Sequence, residues 1–256
     1  MIGAASPLDL DDRDPDFIRE RLPTLWLISN LYFRGDVRGL GNVPDEGPLL
    51  LVGNHSGGRM TPDTLVLVSA FSSYFGVERS IFAFTRAATI SWPSSGWLRR
   101  FGIVPPAPGG IGHALRSGAT VITYPGGDEE ADRPSWRGGR VALGPSTEWV
   151  EEALDQNIPV VPVVTAGAQE TALFLGRARG LSLPVSLGAP WGLNVGHLAS
   201  PVPLPAKLTT EVLHPIDLRA RYGPDPDPAA IRDDIAGEMQ HTLSALHDAR
   251  RLPVLG

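Results

Sequence analysis

The sequence predicts an α/β domain, a largely parallel sheet flanked by helices and preceded by an N-terminal helical segment. Two observations carry this. Short apolar runs of strand length alternate with stretches whose apolar residues recur at steps of three and four. Gly and Pro, 29 and 25 of the 256 residues, fall between those runs and follow no period of their own. A chain of this length can bury a real core as one large or two small domains. Its composition, 42% hydrophobic and 20% charged, is that of a folded protein.

Residues 1–14 are acidic and lack the basic start and apolar centre of a signal peptide, so a disordered leader is expected there. Residues 15–34 form a helical segment in which Ile18, Leu22, Leu25, Ile28 and Tyr32 keep the helical period. Pro23 is expected to divide it into two shorter helices. The α/β domain proper is expected over residues 35–220. It opens with a strand at Leu49–Val52, a glycine-rich loop from Gly53 to Thr61, and a helix from Pro62 to Phe75 with Thr61 as its cap. That helix is apolar almost all round, which implies deep burial or an apolar groove. Further strands are expected at Ile81–Phe84, Thr120–Tyr124, Val160–Val164 and Leu208–Leu213, with helices near Ile111–Arg116 and Thr147–Gln156. Leu181 to Ala206 is long enough to span a bilayer, but its five prolines point to strand and loop. Residues 221–256 are expected to hold a C-terminal helix, with Ile231, Ile235, Met239, Leu243 and Leu246 on one face.

Composition removes several kinds of chemistry. Without cysteine there is no disulfide framework, no Cys-ligated metal and no thiol nucleophile. Lys207 is the single lysine, so Schiff-base chemistry would fall on it alone. A net charge of −6 makes nucleic acid a poor partner. No metal site and no resident cofactor are expected.

Ligands of parallel sheets bind where strands end, so the loops after Val52 and Tyr124 are the places to search. The first reads Gly53-Asn54-His55-Ser56-Gly57-Gly58, with Asp63 just inside the next helix. An imidazole there can take a proton from a hydroxyl near neutral pH, and a carboxylate can hold its tautomer. Glycines and a helix start supply N–H groups for an oxyanion. A P-loop is a poor match, because Arg59-Met60 stands where Lys-Ser/Thr is required. Ser56 lacks the Gly-x-Ser-x-Gly elbow of a hydrolase. A purely structural role for His55, with Asp63 complementing the helix dipole, stays open at this point. The second loop, Tyr124-Pro125-Gly126-Gly127-Asp128-Glu129-Glu130, should open on the same sheet edge. Its carboxylates could orient an acceptor hydroxyl or carry a second hydrogen-bond network. Arg133, Arg137 and Arg140 could neutralise them or meet a phosphate.

At these loops the sequence resembles the glycerolipid/lysophospholipid acyltransferase superfamily, in particular bacterial 1-acylglycerol-phosphate acyltransferase-like members with a Pro-Gly-Gly third motif. Leu49 to Ser56 resembles the first motif, Tyr124-Pro125-Gly126-Gly127 the third and Ile158 to Val163 the fourth. Pro203 to Lys207 and Pro215 to Leu218 also recur in bacterial members, so the resemblance covers roughly residues 15–220. It implies a role in lipid metabolism, including phospholipid biosynthesis, by transfer of a fatty acyl group from acyl-CoA, a co-substrate, to a lipid or glycolipid hydroxyl. His55 would be the general base and Asp63 its orienting partner. Asn54, Ser56, Gly57, Gly58, Gly126, Gly127, Asp128, Glu130 and Arg133 would surround the substrates. A lipid esterase or thioesterase using the same loop, or a silent acyl-CoA- or lipid-binding protein, are the alternatives.

Three departures from the family pattern are informative. Its common spacing places four residues between His and Asp, whereas seven intervene here, so the loop must bulge for the pair to meet. Gly102 to Ala107, at the second motif, lacks the usual arginine, and Gly126 to Glu129 replaces the usual Glu-Gly-Thr-Arg. Both losses favour a neutral or glycosidic acceptor, unless Arg133 substitutes. The resemblance also implies a cytoplasmic protein peripheral to the inner face of the cell membrane. Trp92, Trp97, Arg99 and Arg100 are one candidate contact, and Trp26 to Ile28 with Tyr32 to Arg34 another.

Overall fold

The apolar runs read from the sequence pair side by side at the centre of a seven-stranded sheet. The structure is a computed structural model describing residues 10–57, 61–84, 96–171, 173–177, 184–188, 192–195 and 203–252. In chain order its strands are β1 (Asp36–Arg38), β2 (Leu49–Gly53), β3 (Ile81–Phe84), β4 (Ile103–Val104), β5 (Thr120–Thr123), β6 (Val160–Ala166), β7 (Leu173–Arg177), β8 (Pro184–Gly188), β9 (Gly192–Val195) and β10 (Thr209–Val212). The main sheet runs β1-β10-β6-β2-β5-β3-β4. From β6 to β4 every pairing is parallel, while β10 joins β6 antiparallel and carries β1 parallel to itself at the edge. Strands β7 to β9 form a separate antiparallel meander, within and beside the segment expected to be strand and loop.

Both faces of the central strands are covered, which is why they are apolar throughout and not alternating. On one face, α2 (Pro62–Phe75) packs Leu67 and Phe71 against Leu49, Leu51, Ile122 and Val161. On the other, the C-terminal helix Pro228–Asp248 presents Ile231, Ile235, Met239, Leu243 and Leu246, all buried, beside Trp149 and Val150 of helix Glu148–Gln156. Each such side chain gains about 1.5–3 kcal/mol from leaving water. Asp227 opens the C-terminal helix by accepting from the Ala229 N–H, with Pro228 as first helical residue.

Three local expectations are corrected. Pro23 does not divide the N-terminal segment: α1 (Pro15–Leu27) runs through it and continues as a π-helical turn, Ile28–Tyr32. Proline removes one N–H and crowds the carbonyl four residues back, and Pro23 is exposed, where water can take up that carbonyl. Burial of Phe17 and Ile18 against Val77 and Phe101 holds the helix in place. Thr61 stands at the start of α2 but makes no capping bond; it adopts φ 40° as the loop turns into the helix. Residues 10–14, expected in a disordered leader, belong to the fold. Asp14 accepts from the Phe17 N–H and caps α1, and Arg13 donates to the Val77 carbonyl at 2.7 Å. Residues 1–9 lie outside the described residues. Among the described residues no helix is long and apolar enough to cross a membrane.

Candidate active site

Register places the site. In the parallel pair β2–β5, Val52 stands opposite Thr123, so the loops that follow leave the sheet side by side. On the other flank of β2, Gly53 stands opposite Val163. Asn54 uses this proximity: its amide donates to the Thr165 carbonyl at 3.0 Å and its Oδ1 accepts the Thr165 N–H at 2.8 Å. The side chain is buried and ties the loop to β6.

His55 comes next, with its Nδ1 3.1 Å from Asp63 Oδ2, and the side chains are 13% and 1% exposed. The extended spacing therefore still closes the pair. Gly57, at φ +87°, helps the chain double back, with Pro62 and the Ala168 carbonyl too close to admit a Cβ. Gly58 lies outside the described residues. Asp63 is held on several sides. Its Oδ2 also accepts the Ser56 N–H at 2.9 Å, and its Oδ1 accepts the Thr64 N–H at 2.7 Å. A buried carboxylate is tolerated when it is hydrogen-bonded in this way. It also lies in the first turn of α2, where the helix dipole favours negative charge. With an Nδ1–H donated to Asp63, the basic lone pair of the imidazole is on Nε2.

The second loop supports the first from below. Tyr124 stacks on the His55 ring, centroids 4.5 Å apart and planes 29° from parallel, and its hydroxyl accepts from Thr64 Oγ1 at 3.0 Å. Burial pushes the Tyr124 hydroxyl well above its ordinary range, with the Asp63 charge adding to the effect, so it stays protonated. Glu130, also buried, sends Oε2 to the His55 backbone N–H at 2.8 Å and Oε1 to the Ala142 N–H at 2.8 Å. Arg133 completes the arrangement with an ion pair to Glu130 Oε1 at 3.1 Å. Burial raises the Glu130 pKa, while the two amides and the guanidinium act in the other direction. Gly126 makes room for this carboxylate: a Cβ there would fall 2.1 Å from the Ala142 carbonyl oxygen and 2.3 Å from Glu130 Oε2. Gly127 and Asp128 begin the short helix Gly127–Ala131 that carries Glu130, and Asp128 is half-buried.

The geometry thus gathers His55, Asp63, Ser56, Gly57, Gly126 and Glu130 around one point, with Asn54 and Arg133 bracing the periphery. Tyr124, Thr64, Thr165, Ala142 and Gln169 complete the setting, the last donating to the Glu130 carbonyl at 3.2 Å. Of these, Tyr124 was the most detectable from sequence. It follows the β5 residue beside β2, and Gly53 opposite offers no side chain to keep its ring away.

The expected membrane contacts are distributed unevenly. Trp92 lies outside the described residues, and Trp97 is half exposed. Arg99 and Arg100 are not spare positive charge: they pair with Asp12 at 3.4 Å and Asp14 at 2.5 Å. Trp26, Leu27, Ile28, Leu31 and Tyr32 form an exposed apolar run at the end of α1, while Phe33 is buried.

A histidine–carboxylate pair at the mouth of a parallel sheet, braced by a Pro-Gly-Gly loop, sits in this chain on the fold of a lipid acyltransferase. The structure of the 1-acyl-sn-glycerophosphate (LPA) acyltransferase PlsC from Thermotoga maritima superposes with a TM-score of 0.61, covering 94% of this chain and 85% of that one at 18% identity. In sequence, the chain is 27% identical over 139 residues to phytyl ester synthase 1, chloroplastic, of Arabidopsis thaliana, which takes in 53% of this chain. The match covers 20% of that protein, so the chain spans about a fifth of the curated relative's length. No protein-family model matches the sequence.

Proposed function

We propose that the protein is an O-acyltransferase that moves a fatty acyl group from a thioester, acyl-CoA, to the hydroxyl of a neutral lipid or glycolipid. The observation that carries this reading is the 3.1 Å contact between His55 Nδ1 and Asp63 Oδ2, closed despite the three extra loop residues. His55 Nε2 takes the proton of the acceptor hydroxyl while its oxygen forms a bond to the thioester carbonyl carbon. The tetrahedral intermediate collapses, the C–S bond breaks, and the imidazolium returns its proton to the leaving thiolate. Asp63 holds the Nδ1–H tautomer and stabilises the imidazolium. The amides of His55 and Ser56 are already committed to Glu130 and Asp63, which leaves oxyanion stabilisation to the remainder of the loop from Gly57 onward.

A neutral acceptor is supported by the fate of Arg133. Its guanidinium is spent on Glu130 and on the carbonyls of Arg137 and Arg140, so it does not stand in for the missing phosphate-binding arginines. The name of the plant relative, a phytyl ester synthase, agrees with an alcohol acceptor.

Thiol release from acyl-CoA, measured with and without neutral alcohols, glycolipids and lysophospholipids, tests the proposal. Acceptor-dependent release lost in His55→Ala, and reduced about a hundredfold to ten-thousandfold in Asp63→Asn, is the expected outcome. Acceptor-independent release would make the protein a thioesterase, and no release a binding protein; either overturns the transferase reading.

The same reading places the protein at the cytoplasmic face of a membrane, attached peripherally through Trp26, Leu27, Leu31 and Tyr32. Because Arg99 and Arg100 are neutralised by their acid partners, attachment should be apolar in character. Vesicle flotation is therefore expected to persist at high salt and to fail in Trp26→Ser/Leu31→Ser. Flotation abolished by salt alone would contradict this placement.

A further inference from the structure

The aromatic ring beside the histidine is placed more closely than filling space requires. Tyr124 lies face to face with the His55 imidazole, centroids 4.5 Å apart and planes 29° from parallel, and the imidazole side chain is 13% exposed. An aromatic face carries negative charge density and attracts a cation held within about 6 Å of its centroid, more strongly where water is excluded. A neutral imidazole gains little from such a face. An imidazolium gains the full attraction.

Two further contacts fix the ring in that place. It packs against the Gly53 backbone, where an added Cβ would fall 2.5 Å from the ring Cε1. At its far end the hydroxyl meets Thr64 Oγ1 at 3.0 Å, and the same Oγ1 lies 3.4 Å from Asp63 Oδ1. Ring and carboxylate are thus both held by one buried threonine. Burial first and the Asp63 charge second raise the pKa of the Tyr124 hydroxyl, so the phenol stays neutral while an imidazole titrates.

The geometry points to Tyr124 as a positioning residue for acyl transfer, its face holding the His55 ring and stabilising the imidazolium formed when Nε2 takes the acceptor proton. The inference rests on the transferase reading of His55. Among the described residues, the other charged groups around the imidazole are Asp63 from α2 and, from the second loop, Glu130 with its partner Arg133. Asp128 stands on the same short helix as Glu130. From β6 and the turn after it the loop meets Thr165 and Ala168, both neutral, while Glu170 of that turn is paired with Arg250. Changes at position 124 leave these groups in place, so the aromatic face can be varied alone.

The test is an NMR titration of the full chain labelled with ¹³C at its six histidines, the His55 signal being the one lost in His55→Ala. Its midpoint should fall by about 0.5 to 1.5 pH units in Tyr124→Leu, which keeps an apolar neighbour without a π face, and hold in Tyr124→Phe. Singly and triply fluorinated phenylalanine at position 124 keep the ring's shape while withdrawing charge from its face. They should lower the midpoint in order of fluorine content, and they carry the test if Tyr124→Leu does not fold. Above these midpoints kcat should be about three- to thirtyfold lower in Tyr124→Leu with KM little changed, and Tyr124→Phe should recover most of that loss. A midpoint indifferent to fluorination, or unchanged in folded Tyr124→Leu, would make the ring a space filler and overturn the inference, whatever the rates. The titration needs no acyl transfer. A midpoint that follows fluorination in a protein without acceptor-dependent thiol release would therefore overturn the transferase reading and leave the imidazolium contact standing.

Discussion

Glu130 is three residues beyond what the Pro-Gly-Gly resemblance alone covers, yet it governs how His55 is presented. Its carboxylate accepts the His55 and Ala142 amides at 2.8 Å each and meets Arg133 at 3.1 Å, all out of water. Glu130→Gln keeps the shape but turns one acceptor oxygen into a donor, so one of the two amides faces another N–H. An unsatisfied buried group of this sort costs about 1–3 kcal/mol. A shift of the imidazole by about an ångström costs on the order of a hundredfold in rate. The expected result is a kcat lower by about ten- to a hundredfold with KM little changed, measured on protein shown to be folded. A merely structural role would instead lower the folded fraction and leave kcat per folded molecule intact. Sequence reading placed Glu130 near the substrates and foresaw a second hydrogen-bond network. It could not tell that the bond would go to the backbone of His55, because that depends on Gly126 packing too closely against the Ala142 carbonyl and the Glu130 side chain to admit a Cβ.

Among the elements, α1 is where local rules and tertiary packing disagree most. Pro23 lies nine positions into a helix of 13 residues, where intrinsic propensity puts proline about 3 kcal/mol below alanine. Phe17 stacked edge-on against Phe101 at 5.0 Å, with Ile18 and Val77 beside them, outweighs it. Because Pro23 is exposed, Pro23→Ala should relieve the strain without opening a cavity and raise stability by about 1–3 kcal/mol, read from urea midpoints at constant m-value. An unchanged or lower midpoint would mean that the packing of α1 depends on the backbone geometry that Pro23 imposes. Other elements follow their patterns more simply. The central strands and the C-terminal helix were legible because apolar runs and a regular heptad-like face suffice to define them. The two-residue β4, edge strand β1 and the π-helical turn were not, since each is made by what it pairs or packs with and has too little sequence to carry a period of its own.

For the molecule as a whole, pH acts through two partly or fully buried groups of opposite sign. His247, near the end of the C-terminal helix, has its pKa lowered by burial first and by the neighbouring Arg250 second, with Glu170 and Asp248 opposing. A lowered histidine pKa means the unfolded chain binds the proton more readily. Its contribution is complete above the unfolded value of 6.5 and is lost as pH falls below that value towards the folded one. Glu130 is the reverse case: burial raises its pKa, so between its unfolded and folded values the native state holds the proton and gains stability on acidification. The His247 window lies below 6.5 and the Glu130 window above 4.5, and the two act with opposite sign. His247→Gln should therefore flatten the fall in melting temperature on going from about pH 7 to below 6.5, relative to the unaltered protein. In Glu130→Gln the deficit relative to the unaltered protein should grow instead at lower pH, because the variant lacks the carboxylate that takes up that proton. Parallel melting curves for His247→Gln and the unaltered protein across the upper window would show that the Arg250–Glu170 pair, bonded twice at 2.7 Å, holds the helix end independently of the histidine's charge.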